Sequence, residues 1–319
     1  MARLLSKGNG LAGDAADVVT GEQCSGRAAR VAMVGVGLIG GSLARALKSS
    51  GFASEVVGCA LHAQELDRAR ELGVIDRGER DLRVAAADAD VVVVATDLGA
   101  MAGVFAVLAE CLPADAVVTD VGSVKGAVLA DARTALGSRF PCFVPGHPIA
   151  GTEKSGVEAC FDGLFAEHLV LLTPAPETDP VAVDRITRMW QAAGARVECI
   201  DAETHDDALA LTSHVPHLIA YAMVEGLRRA AAAQGEDQAL LRFAAGGFAD
   251  STRIAQSRPD LWVDIVTRNR RAVIGHGRTF ARVFGELIDA LEADDRDRLE
   301  TVFRDANATR KALKDPRRA

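Results

Sequence analysis

The run Arg30-Val31-Ala32-Met33-Val34, followed at once by Gly35-Val36-Gly37-Leu38-Ile39-Gly40-Gly41-Ser42, constrains this chain more than any other stretch. A short apolar run stopped by glycine reads as a buried strand, and the alanine- and leucine-rich segment that continues to Ser50 reads as a helix. Each glycine of the corner has its own task. The first allows the tight turn, the second lets a pyrophosphate approach the main chain, and the third lets the helix pack on the strand, while the helix N-terminus attracts the phosphate charge. Gly-x-Gly-x-x-Gly alone is a weak signal. Between a buried-strand pattern and a helix it points to a dinucleotide held by Gly35, Gly37, Leu38, Ile39 and Gly40.

The N-terminal half repeats the same alternation. Strands are expected at residues 55–60, 90–95, 116–120, 143–144, 168–172 and 196–200, and helices at 63–72, 82–89, 98–111 and 180–192. Asp90-Val91-Val92-Val93-Val94-Ala95 is apolar without a break inside its polar bounds, as befits a parallel strand covered on both faces. The expected fold class is α/β, with a doubly wound, Rossmann-type parallel sheet over residues 29–200 that binds ligands outside the carboxyl ends of its strands. Beyond residue 200 no run reads as a strand. Segments 203–233, 237–247, 260–292 and 295–312 are alanine- and leucine-rich, so residues 201–319 are expected to form an all-helical domain. Two domains suit 319 residues, because single cores stop growing at roughly 250–300 residues. Residues 1–28 are expected to be a flexible tail.

About 20 residues past the glycine turn, an NAD-selective site carries Asp or Glu on the ribose hydroxyls. Here the second strand ends in Ala60-Leu61-His62. Nothing at Ala60 repels a 2′-phosphate, yet no arginine adjoins it in sequence, so the choice between NADP and NAD stays open with a slight tilt to NADP or dual use.

Lys and Arg total 36 against 44 Asp and Glu, a net charge of -8, which excludes the basic footprint of a nucleic-acid binder. An anionic small molecule then needs a local cluster of cations. The six cysteines are scattered without a Cys-x-x-Cys pair, so neither a zinc site nor a disulfide framework is expected. No apolar run is long enough for a bilayer and residues 1–28 lack a signal-peptide pattern, which makes a cytoplasmic protein the expectation.

The chemistry-bearing residues gather in four places. Gly146-His147-Pro148-Ile149-Ala150-Gly151-Thr152-Glu153-Lys154-Ser155-Gly156 has neither the period of a strand nor that of a helix, and Pro148 disfavours a helical His147, so the run is expected to be an active-site loop. A histidine before a proline can also merely satisfy a turn. Ser123 and Lys125 follow the strand 116–120 and fall where a ligand would lie, although Ser123 can equally cap the next helix. His214 and His217 are three apart and share a helix face, but no third ligand is evident, so no metal is expected. Arg253, after the pair Gly246-Gly247, can fork onto a carboxylate or pair with Asp250.

Gly-Val-Gly-Leu-Ile-Gly-Gly-Ser at 35–42, Asp-Val-Gly-Ser-Val-Lys-Gly at 120–126, Gly-His-Pro-Ile-Ala-Gly-Thr-Glu at 146–153, Ser-His-Val-Pro-His at 213–217 and Gly-Gly-Phe-Ala-Asp-Ser-Thr-Arg-Ile-Ala at 246–255 stand in one register. Together they resemble the prephenate/arogenate (cyclohexadienyl) dehydrogenase family of tyrosine biosynthesis, over residues 30–312. The resemblance implies oxidative decarboxylation of prephenate and/or arogenate to 4-hydroxyphenylpyruvate and/or tyrosine, with hydride passing to NAD or NADP. It implies that His147 takes the ring hydroxyl proton, that Ser123 contacts nicotinamide and substrate, and that Arg253 binds a substrate carboxylate. His217, His214 and Thr152 would line the same pocket and Glu153 would gate it. It also implies a homodimer made through the helical domain. Two positions depart from the family pattern: Ala60 replaces the usual acid, and Thr96-Asp97-Leu98, with Thr96 a candidate cofactor contact beside Ala60 and His62, replaces a proline.

Three other readings compete. A relative acting on 4-amino-4-deoxyprephenate would share the chemistry. A β-hydroxyacid dehydrogenase would need a catalytic lysine early in the helical domain, and residues 201–233 contain none. A non-catalytic dinucleotide sensor would leave His147, Ser123 and Arg253 without a task.

Overall fold

The computed structural model describes residues 29–152, 154–233 and 243–313, so the expected tail at 1–28, and Glu153, lie outside the described residues. The first half runs β1 (Ala29–Val34), α1 (Leu38–Ser49), β2 (Ala53–Cys59), α2 (Ala63–Glu71), β3 (Arg77–Glu79), α3 (Leu82–Ala86), β4 (Val91–Val94), α4 (Leu98–Cys111), β5 (Val117–Asp120), α5 (Lys125–Leu136) and β6 (Phe143–Val144). Its six strands form one all-parallel sheet in the order β3-β2-β1-β4-β5-β6. The order reverses between β1 and β4, which opens a crevice at the carboxyl edge of the sheet.

Alternation along the strands divides the core in two. Val31, Met33, Val91 and Val93 pack on one face with Leu43, Leu47 and Trp190, while Ala32, Val34, Val92 and Val94 pack on the other with Phe105 and Phe143. A strand buried on both faces has no use for polar residues, which is why β4 is four valines. β3, only three residues long, carries no such pattern and escaped the sequence reading.

The chain continues through β7 (Gly146–Pro148), β8 (Leu169–Leu172), α6 (Pro180–Ala192) and β9 (Arg196–Cys199). These strands make a separate three-stranded sheet, β7-β8-β9, rather than extending the parallel one. Two expectations are corrected here. The strands at 168–172 and 196–200 belong to this second sheet, and the first three residues of the presumed loop are a strand, with His147 opposite Leu171 in an antiparallel pair. Three residues are too few to show a period, and their partner strand lies beyond the loop.

The remainder is helical: α7 (Ala202–Leu209), α8 (Val215–Ala233), α9 (Gly246–Thr252), α10 (Pro259–Arg268), α11 (Arg270–Glu292) and α12 (Arg296–Ala312). A π-turn over Ala210–His214 interrupts the expected helix 203–233, and Asn269 divides the expected helix 260–292. Gly246-Gly247 opens α9 rather than merely breaking a helix, and a 3₁₀ turn, Arg253–Gln256, follows it. Among the described residues no helix is long and apolar enough to cross a membrane.

Candidate active site

The glycine corner has the shape its sequence requires. Gly35 sits at φ +94°, and a Cβ there would lie 2.5 Å from the carbonyl oxygen of Ala95, so only glycine fits. A Cβ on Gly40 would collide with the Gly35 carbonyl, whereas one on Gly37 would meet nothing within 4 Å. α1 begins at Leu38 and Ile39 with no side-chain cap and no acid in its first turn. At the end of β4 the hydroxyl of Thr96 is buried without a hydrogen-bond partner. Uncapped amides, open space at the second glycine and an orphaned hydroxyl at the same sheet edge suit a dinucleotide.

Ala60 follows β2, and the exposed His62 is the N-cap residue of α2 without capping it through its side chain. Sequence reasoning found no arginine here. The structure supplies Arg80: β3 pairs with β2 so that Glu79 lies beside Cys59, and Arg80 Nε donates to the Leu61 carbonyl at 3.1 Å.

Ser123, His147 and Thr152 line a cavity of about 1040 Å³ together with His214, His217 and Arg253 from the helical part. Lys154 and Arg258 add further positive charge to the wall, and no carboxylate is among its described lining residues. Arg258 is also held by Asp97 at 3.1 Å and Asp260 at 2.5 Å, which ties the helical part to the end of β4. A second opening of about 850 Å³, lined by Asp207, Arg270 and Arg271 among others, contains none of the expected site residues.

Ser123 does not cap α5. Its first amides, those of Lys125 and Gly126, donate instead to the carboxylate of Asp206 at 2.8 and 2.9 Å, so the cap comes from α7 and Ser123 is left at the cavity wall. Lys125 does not face a ligand either. It is fully buried, with Nζ 2.5 Å from Asp120 Oδ2 and 2.7 Å from the Gly146 carbonyl. Burial pulls Lys125 below the usual lysine range and the neighbouring Asp120 opposes that shift. Asp120 also accepts from the amides of Gly122 and Gly146, at 2.7 and 3.2 Å, so the pair fastens β7, and with it His147, to the end of β5.

His147 Nδ1 lies 2.9 Å from His205 Nε2, and His205 Nδ1 lies 2.8 Å from Asp206 Oδ1. Burial, then the neighbouring His205, Lys125 and His214, hold His147 well below the ordinary histidine value, so its imidazole is neutral at pH 7. His214 is brought down to about 4 by burial, which outweighs the opposing effect of Asp206, and its Nδ1 accepts from Asn269 Nδ2 at 3.2 Å. His217 stacks on Trp262 with ring centroids 3.4 Å apart and donates from Nδ1 to the Ser213 carbonyl at 2.9 Å. Burial lowers its pKa, as does the charge of Arg253, leaving Nε2 an acceptor at neutral pH. Among the described residues no group of three or more His, Cys, Asp or Glu is placed to hold a metal ion. His205, Asp206, Trp262, Asn269 and Arg80 were given no task by the sequence reading. Only their partners in space mark them.

Two adjoining family models match, the prephenate dehydrogenase nucleotide-binding domain over residues 43–199 and the prephenate dehydrogenase dimerization domain over residues 201–305. The chain belongs to the prephenate dehydrogenase family. It is 37% identical to the cyclohexadienyl dehydrogenase of Zymomonas mobilis over 89% of this chain and 96% of that protein. It is 32% identical to the prephenate dehydrogenase of Bacillus subtilis over 89% of this chain and 76% of that protein. Among solved structures, prephenate dehydrogenase from Aquifex aeolicus in complex with hydroxyphenyl propionate and NAD+ superposes with a TM-score of 0.84, at 34% identity, covering 91% of this chain and 100% of that one. As a member of this family the chain is a dehydrogenase that uses a nicotinamide dinucleotide.

Proposed function

We propose that this protein oxidatively decarboxylates prephenate, arogenate or both, with His147 as general base. The observation that carries the reading is a single cationic cavity, walled by His147, Ser123, His217 and Arg253, at the carboxyl edge of a dinucleotide-binding sheet. Both substrates bear two carboxylates on a cyclohexadienyl frame. A cavity with Arg253 and Lys154 in its described wall, in a protein whose net charge is -8, is matched to such an anion.

A bound nicotinamide dinucleotide supplies the hydride acceptor. Neutral His147 takes the ring hydroxyl proton at Nε2 as hydride departs, and returns it to the phenolate oxygen once carbon dioxide has left. Ser123, on the same cavity wall as His147, orients that hydroxyl. Arg253 forks onto a carboxylate. Replacing it with alanine should cost about 1.5–3 kcal/mol, roughly 10- to 150-fold in kcat/KM and mostly through KM, in steady-state assays. His217 presents an acceptor nitrogen beside Trp262, so it suits a donor group on the substrate better than a second carboxylate. Glu153 would gate the cavity, and Thr152, with His214, would complete its wall.

The cofactor reading leans to NADP or dual use. Ala60 offers no carboxylate against a 2′-phosphate, and Arg80, anchored at Leu61, brings a guanidinium to that corner near His62. Glu79 and Asp81 are close by, but Glu79 faces Arg77 at 3.6 Å and Asp81 caps α3. Arg80→Ala should weaken NADP binding about tenfold in calorimetry and leave NAD binding unchanged, an effect of about 1.4 kcal/mol. Equal effects on both cofactors would remove Arg80 from the 2′-phosphate.

The helical part is expected to join two copies. Phe280, Phe284, Ile288 and Leu291 form an exposed apolar stripe along α11, with Phe303 of α12 also exposed. The deciding assay follows reduced nicotinamide with prephenate and arogenate, each against NAD and NADP. Turnover is expected in at least one combination. Silence in all four, with cofactor binding intact, would favour the amino-substituted substrate or a sensor.

A further inference from the structure

His147 is not the end of its hydrogen-bond chain. Behind it His205, 0% exposed, bridges to Asp206, whose carboxylate is itself fixed by the amides of Lys125 and Gly126. Asn269 Nδ2 donates to the main-chain oxygen of Asp206 at 2.7 Å, so Asp206 is anchored by its carboxylate from α5 and by its main chain from the junction of α10 and α11. So much pre-organisation exceeds what an inert buried histidine needs.

We propose that His205 and Asp206 are positioning residues for His147: a buried relay that fixes its tautomer with Nε2 unprotonated toward the substrate, and that shares the positive charge when Nε2 accepts a proton. This rests on the dehydrogenase reading for the charge-sharing half. The tautomer half stands on the hydrogen bonds, with Asp206 ionised and both imidazoles neutral.

With both imidazoles neutral, the proton count leaves one arrangement. Burial pushes Asp206 up, but the His205 hydrogen bond and the two amides together hold it below the usual carboxylate range, so it is ionised and can only accept. His205 must then carry its proton on Nδ1. With His205 neutral, its Nε2 is a lone pair, so His147 donates from Nδ1 and keeps a free lone pair on Nε2. Two imidazolium rings would set N–H against N–H and are excluded at 2.9 Å.

The charged surroundings explain the need. Lys125 of α5 and Arg253 of the cavity wall oppose a positive charge on His147, with Asp120 of β5 paired to Lys125, whereas His214 of the π-turn, brought down to about 4, is neutral at pH 7. Asp206 reaches His147 only through His205. As the substrate O–H bond breaks, its proton bonds to His147 Nε2, and the Nδ1 proton moves toward His205 Nε2. His205 Nδ1–H stays on Asp206, so the chain gains one proton in all. The proton returns along the same route to the phenolate oxygen. The arrangement follows the logic of an aspartate that orients and steadies a catalytic histidine, with one more imidazole between them.

The test has two arms. In protein carrying 15N-labelled histidine at neutral pH, NMR should show His147 as the Nδ1–H tautomer in the wild type and in His205→Gln, whose amide oxygen can accept the same bond, and a return to Nε2–H in His205→Leu. In kinetics, His205→Gln should lower kcat about tenfold with KM and cofactor affinity unchanged, because the proton taken by His147 is then no longer shared toward Asp206. A purely structural His205 would move neither the tautomer nor kcat alone. An Nε2–H tautomer for wild-type His147, or a His205→Gln enzyme with wild-type kcat, overturns the relay. If His205→Leu fails to fold, the wild type and His205→Gln still decide. If the wild type turns over neither substrate, the functional reading fails while the NMR arm continues to judge the tautomer.

Discussion

Replacing His147 with asparagine is expected to lower kcat by about 10²- to 10⁴-fold, the usual span for loss of a general base. Asparagine is the informative choice, because its amide NH₂ stands where Nδ1 does and can still donate to His205, while the reactive Nε2 position is lost. Calorimetric affinity for the dinucleotide should stay within a factor of about two, since the cofactor cradle lies at the ends of β1 and α1. A fall in kcat of less than tenfold would take the proton transfer away from His147. The pH dependence has a definite sign. Only the neutral imidazole works as the base, and burial with the neighbouring His205, Lys125 and His214 pulls its pKa below the ordinary 6.5. The wild-type kcat should therefore remain at its plateau as pH falls through 6.5, and decline only at more acidic pH.

Lys125→Met should be among the most destabilising single changes in the protein. Both Lys125 and Asp120 are 0% exposed, and removing the cation strands a buried carboxylate, at a cost of about 3–5 kcal/mol. By scanning calorimetry this should appear as a Tm lower by roughly 10 °C. Activity should fall as well, because Lys125 Nζ also holds the Gly146 carbonyl and so the start of the strand that carries His147. Pairing it with Asp120→Leu should restore part of the stability, since apolar replacement removes the stranded charge, although the amides of Gly122 and Gly146 then lose their acceptor. A Lys125→Met protein as stable as the wild type would mean that the pair is neutral where it lies.

The parts of this molecule that follow from neighbours in the chain are legible in its sequence. Gly35 and Gly40 answer to constraints within a few residues of themselves, and the four valines of β4 announce a strand covered twice. The alternation of strands and helices up to Cys199 and the helices beyond Asp201 belong to the same class. The reading failed where partners are remote. Lys125 reads as a ligand contact because its burial and its hold on the Gly146 carbonyl, 21 residues away, leave no mark in the sequence around it. Ser123 reads equally as a ligand contact and as a cap, because the true cap, Asp206, lies 81 residues from Lys125.

The sequence by itself determined the dinucleotide corner, the parallel core and the supply of chemical groups, because backbone sterics and the period of apolar burial act over single turns and strands. Only the tertiary structure decided which groups meet. It folded residues 146–148 into a second sheet, brought Arg80 to the end of β2 through a three-residue strand, and set His205 against His147 across 58 residues. Such contacts depend on how separate elements pack and on which buried polar groups find partners, and local spacing carries no record of either.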